Sequence, residues 1–119
     1  MAKYISNIKK DSPDEPWLKL NDINYTSKIF TKDEVDNIII PHRDFVHSLP
    51  GFQSSNVSII DSVTMEIVTE FDTLDNANNA LQLLTPPYTE DSIQDKLHQL
   101  VTKKRNDLNV NYTITSRVE

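Results

Sequence analysis

The chain has a single glycine, Gly51, directly after Pro50. Glycine enters positive φ without a Cβ clash, so a helix C-terminal stop is predicted here. Pro50 bars continuation of the helix and pushes Leu49 towards extended geometry. The surrounding stretch, HSLPGFQSSNVSIIDSVTMEIVTEFDTLDNANNALQLL, reads as helix end, corner, β-hairpin and helix start. A strand is expected over residues 52–60, followed by Asp61 and Ser62, turn formers whose side chains bond back to nearby backbone. In the second strand Met65, Ile67 and Phe71 alternate with Glu66, Val68 and Glu70, the pattern of a half-buried strand. Asp72 or Thr73 then offers an N-cap to a helix in which Leu74, Ala77, Leu81 and Leu84 recur at helical spacing.

Ahead of the corner, residues 1–16 mix Lys3, Lys9, Lys10, Asp11, Asp14 and Glu15 with Pro13 and Pro16. They are expected to form a flexible N-terminal arm, although Tyr4, Ile5 and Ile8 leave room for a short edge strand. Residues 17–119 are expected to make one domain. Ile23, Tyr25 and Ile29 alternate with Asn24, Thr26 and Lys28, which predicts the first strand over residues 23–30. Thr31, Lys32, Asp33 and Glu34 match the capping-box pattern of a helix start. That helix continues through Val35, Ile38, Ile39, Val46 and Leu49, with a kink expected at Pro41. Beyond the hairpin and its following helix, Thr85-Pro86-Pro87-Tyr88 breaks the chain. A helix starting within residues 89–92 carries Ile93, Leu97, Leu100 and Val101 on one stripe. Lys103, Lys104 and Arg105 crowd its last turn, where cations suit the helix dipole, and Asn109 closes it. A last strand is expected over residues 110–118.

The order β-α-β-β-α-β predicts an α+β, ferredoxin-like fold: a four-stranded antiparallel sheet, helices on one face, first and third strands central. The helices would cover the side bearing Tyr25, Ile67 and Ile114. The opposite face would show Asn24, Thr26, Lys28, Phe30, Glu66, Val68, Glu70, Thr113, Thr115 and Arg117. Such a half-polar face can be wet, can be a dimer interface or can be the wall of a pocket.

Composition excludes several functions. A formal net charge of −6 opposes binding to a phosphate backbone, and the third strand carries Glu66 and Glu70 where an RNA-binding sheet needs stacking aromatics. With no cysteine, disulfide and thiolate chemistry are out. No apolar run reaches the ~20 residues of a membrane span, and the N-terminus lacks the apolar core of a secretory signal. A soluble, cytoplasmic protein is expected. One glycine cannot build a phosphate-cradling loop, and no Gly-x-Ser-x-Gly elbow exists.

The run Leu49-Pro50-Gly51-Phe52, a strand, then Val68-Thr69-Glu70-Phe71-Asp72 and a small-residue helix resembles the dimeric α+β barrel superfamily. Within it, the run is similar to antibiotic biosynthesis monooxygenase-like domains. The likeness in element order covers roughly residues 20–119. It implies a homodimer formed by packing the open sheet faces together, with a cavity in each subunit between sheet and helices. It implies also a non-catalytic member of the family, or a cofactor-independent oxygenase or isomerase acting on a small apolar substrate. A ligand- or protein-binding module using the open face is a further reading. The family commonly has Trp where this chain has Phe71. Its haem-degrading members add an Asn on the first strand, which Asn24 or Asn21 could match, and a His in the second helix. Residues 74–84 contain no histidine, so haem degradation does not follow, and no cofactor is expected.

Among individual residues, Asn24, Lys28, Glu66 and Glu70 are the pocket candidates. Glu66 and Glu70 lie ~13 Å apart on one strand, too far for a glycosidase pair at ~5–9.5 Å. Pairing of Glu66 with Lys28 across strands is expected, and a desolvated face would let one glutamate act as a base. His42 and His47, five apart, fall on different helix faces, and His98 near Asp91 and Asp95 reads as a solvated face, so no metal site is expected. Trp17 and Tyr88 read as packing residues.

Overall fold

The computed structural model of the chain describes residues 1–13 and 30–119. Within them, β1 (Ala2–Lys10), α1 (Lys32–Glu34), a π-helical segment (Val35–Ile39), α2 (Ile40–His47), β2 (Phe52–Ile59), β3 (Thr64–Phe71), α3 (Leu74–Leu84), α4 (Ile93–Leu108) and β4 (Tyr112–Val118) follow in order. The strands form one antiparallel sheet, ordered β2-β3-β1-β4. This is the α+β, ferredoxin-like arrangement with its first and third strands at the centre.

The first strand is not where the periodicity placed it. Residues expected to form an arm are β1, the central strand, with Ile5 between Val68 of β3 and Arg117 of β4. Ala2 and Tyr4 are buried on one side of β1 and Ile5 on the other. Burial on both sides erases the apolar–polar alternation, and the three lysines then imitate a solvated tail. Residues 14–29, which include most of the strand expected at 23–30, lie outside the described residues. Phe30 is not on the open sheet face: it is 4% exposed in a helical cluster with Val35, Ile39, Leu97 and Leu100.

The helix starts follow their caps. Thr31 Oγ1 accepts from the Glu34 amide at 3.1 Å while Glu34 Oε1 accepts from the Thr31 amide at 2.9 Å. Pro41 is accommodated by a widened ladder. The Ile40 amide donates to the Val35 carbonyl, five residues back, and Pro41 then falls in the first turn of α2, where a missing donor costs little. Gly51 takes φ +77°, as its position after the helix predicts, and the Asp72 amide donates to its carbonyl at 3.0 Å. Thr73 caps α3 and Ser92 caps α4, each through its side-chain oxygen. Asn109, at φ 56°, closes α4.

α3 lies directly on the sheet. Ala77 and Ala80 are both 0% exposed and pack against Ala2, Tyr4 and Phe71. Methyl groups at these positions let the helix approach closely. α4 packs instead on the π segment and α2, through Leu97 and Leu100. Strand alternation puts Ile67 and Ile114 on the same side as Tyr4 and Phe71, the helix side, as expected. Ile114 is nonetheless 48% exposed, because the core under α3 ends near Val118. A β-bulge in β2 between Phe52 and Ser54 keeps Phe52 on the helix side, edge-on to Phe71.

Candidate functional site

Two concave regions stand out among the described residues. The larger, of about 480 Å³, is lined by His98, Gln99, Thr102, Lys103, Asn106 and Asp107. All six project from α4 alone, so among the described residues this is a furrow on one helix with no opposing wall. The smaller, of about 240 Å³, has several walls: Phe45 from α2, Gln82 and Leu83 from α3, Pro87, Tyr88 and Thr89 from the connecting segment, and Ser92, Ile93 and Gln94 where α4 begins. Apolar side chains with a few convergent polar groups are the usual make-up of a small-molecule site, and this lining combines both kinds.

Local sequence explains the groove. α3 ends at Thr85, whose hydroxyl donates to the Leu81 carbonyl, and the Pro86–Pro87 bond is cis. Asp91 at φ 61° turns the chain into α4, its amide donating to Asp95 Oδ2 at 3.2 Å. Helix thus stops and restarts within a few residues, which leaves Tyr88 between the two helix ends.

Gln94, on the lining of the groove, belongs to a short chain of side chains. His42 Nε2 donates to Gln94 Oε1 at 2.6 Å, since an amide oxygen can only accept. Burial holds the His42 imidazole below its ordinary pKa, against the Gln94 hydrogen bond, which raises it. The ring is therefore neutral at pH 7, with its lone pair on Nδ1. Burial pushes the Tyr88 phenol up; the Gln94 hydrogen bond opposes this, Tyr4 adds to it, and Arg105 pulls it down. The Tyr88 ring rests on His98 with centroids 5.2 Å apart.

α4 continues this line. Gln94, His98, Val101 and Arg105 fall on one stripe of the helix, offset from the Leu97 and Leu100 stripe that faces the π segment. At its far end the Arg105 guanidinium sits 5.1 Å from the centre of the Tyr112 ring. Arg105 Nε is buried, and it has no hydrogen-bond partner among the described residues. Burial lowers the Arg105 pKa, opposed by Tyr112 and Tyr88. On the sheet below, Tyr4 Oη donates to Ser116 Oγ at 3.3 Å.

Of the residues singled out from sequence, Asn24 and Lys28 lie outside the described residues, as does Trp17. Glu66 and Glu70 are on the sheet face turned away from α3, and neither lines either cavity. Glu66 accepts from Asn7 Nδ2 at 3.2 Å and stands 3.6 Å from an Arg117 nitrogen. Its described partners are thus Asn7 and Arg117. Among the described residues no three His, Cys, Asp or Glu side chains group as metal ligands, and no helix is long and apolar enough to cross a membrane. Sequence reasoning missed Phe45 and Gln94 as groove residues, and His42 as the partner of Gln94, and took Tyr88 for packing. The one available signal was the Pro-Pro-Tyr break, which marks where two helix ends must diverge. No family model matches this chain, and no curated protein or solved structure gives a match either.

Proposed function

We propose that this protein is a monooxygenase-like α+β barrel that binds a small apolar molecule between α2, the end of α3 and the start of α4. The observation that carries this is the mixed lining of the groove, in which Phe45, Leu83, Pro87 and Ile93 supply carbon surface beside the polar groups of Gln82, Tyr88, Thr89, Ser92 and Gln94. A dry cavity of ~150 Å³ holds benzene, so a groove of about 240 Å³ suits a substituted single ring. His42 fixes the Gln94 side chain through its Nε2–H, and Tyr88 presents a phenol to the groove. These groups orient a ligand's polar substituent by hydrogen bonding. Cofactor-independent oxygenation would use the same groove with dioxygen as co-reactant.

The reading includes a homodimer through the open sheet face, supported by the resemblance and by that face's mixed character. Lys3 lies opposite Glu70 and Ile5 opposite Val68. Solution mass tests the dimer. Titration with indole tests the groove, followed by the amide resonances of Tyr88 and Ile93 and the side-chain NH₂ of Gln94. Saturable shifts at these positions, abolished by Leu83→Asp, are expected. Indole, phenol and cyclohexanol all leaving these resonances unmoved would overturn the reading.

A further inference from the structure

We propose that His42 is a positioning residue that fixes Gln94 as a hydrogen-bond donor to the groove, so that the ligand taken there is a ring carrying an acceptor such as a ketone or aldehyde oxygen. The inference rests on the groove reading and adds the chemical class of the ligand. A primary amide has two unlike ends, an oxygen that only accepts and an NH₂ that only donates. A free glutamine offers a ligand either end by turning its last torsion through half a circle. Gln94 is not free in this way. Its Oε1 takes the His42 Nε2–H at 2.6 Å, and Gln94 itself is on the groove lining. Both residues are half-buried. Turning the amide over would set NH₂ against Nε2–H, donor against donor, and forfeit that hydrogen bond. With the oxygen engaged, NH₂ is the end left for the groove.

The histidine acts from behind the lining. It precedes Phe45 by three residues on α2, so the two share a helix face, and their ring centroids are 6.4 Å apart. Phe45 lines the groove and His42 does not. His42 therefore sets Gln94 without reaching the ligand. Ser92 repeats the logic. Its Oγ accepts from the Asp95 amide at 3.2 Å as the N-cap of α4, so the hydroxyl has its hydrogen left to offer. The Thr89 carbonyl is taken as well, by the Ser92 amide at 3.1 Å. The Tyr88 and Thr89 hydroxyls and the exposed Gln82 adapt to either kind of partner, so the fixed groups decide. Among the described residues, the side chains held fixed at this groove have their acceptors spent within the protein and their hydrogens left over.

The experiment uses the intact chain and uncharged probes of similar size: acetophenone, which only accepts, indole, which donates through N–H, and α-methylstyrene, in which CH₂ replaces the acetophenone oxygen. Affinities are read from the Tyr88 and Ile93 amide resonances for the wild type, Gln94→Leu and His42→Phe. Gln94→Leu is expected to weaken acetophenone about fivefold relative to α-methylstyrene, the worth of one neutral hydrogen bond. His42→Phe keeps a ring but frees the amide to turn. It is expected to move the acetophenone-to-indole ratio roughly threefold towards indole with α-methylstyrene unchanged, whereas a purely structural role would weaken all the probes alike. The ring ¹⁵N resonances of His42 in the wild type, which need no variant, should show the hydrogen on Nε2 and a bare Nδ1. A hydrogen on Nδ1, or an unchanged ratio in either variant, overturns the inference, and α-methylstyrene binding then keeps the groove reading standing. All the probes leaving Tyr88 and Ile93 unmoved removes the groove, and the inference with it.

Discussion

Asp72 occupies the space that any side chain on Gly51 would need. A Cβ built on Gly51 would overlap the Asp72 carboxylate and stand 2.5 Å from Nδ2 of Asn76. Asp72 is itself held by Asn76, whose Nδ2 donates to Oδ1 at 2.8 Å. The glycine is thus required twice, once by its φ of +77° and once by contact with the start of α3. Gly51→Ala should lower stability by about 2–3 kcal/mol, from backbone strain and loss of the Asp72–Asn76 contact. Urea unfolding measures it. A change within about 0.5 kcal/mol, the range of an ordinary surface substitution, would contradict the contact.

On the sheet face away from α3, Glu66 has 22% of its side chain exposed and its Arg117 partner 51%. An ion pair this wet is worth little, and the Asn7 hydrogen bond supplies most of what Glu66 contributes. Glu66→Ala should cost about 1 kcal/mol in thermal or urea unfolding. A loss above ~2 kcal/mol would instead mark a charge pair sealed from water by a second surface.

Acid should destabilise the fold in two windows. The His42 pKa is depressed by burial, so the unfolded chain takes up the proton first. The stability linked to neutral His42 is complete above about pH 6.5, and it is lost as pH falls from there through the lower folded value. Glu34 acts lower down. Burial raises its pKa, but the Thr31 backbone hydrogen bond and Lys104 outweigh this and leave it lowered. Its contribution is present above the ordinary glutamate range and is lost as pH falls through the folded value. Unfolding free energy measured from pH 8 to pH 3 should show both, and His42→Gln should remove the upper one alone. A wild-type curve that is flat between pH 7 and 5 would rule out a buried neutral histidine.

The close seating of α3 makes a further test. Ala77 and Ala80 are fully buried against Tyr4 and Phe71. Ala80→Leu should destabilise by about 1–3 kcal/mol through overpacking. Phe71→Ala, which empties the same contact, should cost about 3–5 kcal/mol. If Ala80→Leu were neutral in urea unfolding, α3 would have to sit farther from the sheet than it does here.

The parts of this fold legible in the sequence are those whose cause is local. The Thr31 capping box, the single glycine, the hairpin between residues 52 and 71 and the stripe of α4 each depend on neighbours within a few positions, and each is found close to where the pattern placed it. β1 was illegible because its neighbours β3 and β4 are distant in sequence and because its apolar residues Tyr4 and Ile5, both buried, point to opposite faces. The groove was illegible for a related reason. Phe45, Leu83, Tyr88 and Gln94 meet only because the end of one helix and the start of the next bring three elements to one place. Residue types alone put weight on Glu66 and Glu70, since carboxylates advertise chemistry, whereas an amide between an imidazole and a phenol does not.

The central position of β1 has a consequence for how the molecule comes into being. Ile5 needs Val68 and Arg117 beside it, and the Tyr4 hydroxyl meets a serine 112 positions further along the chain. During translation β1 precedes both of its neighbours, and its edges wait in turn, Ile5 for Val68 on one side and for Arg117 on the other. Contacts of such long range close slowly. The tract holding Tyr4, Ile5 and Ile8 is thus the one that a nascent chain must keep from foreign strands longest, and its flanking lysines offer it charge for that interval.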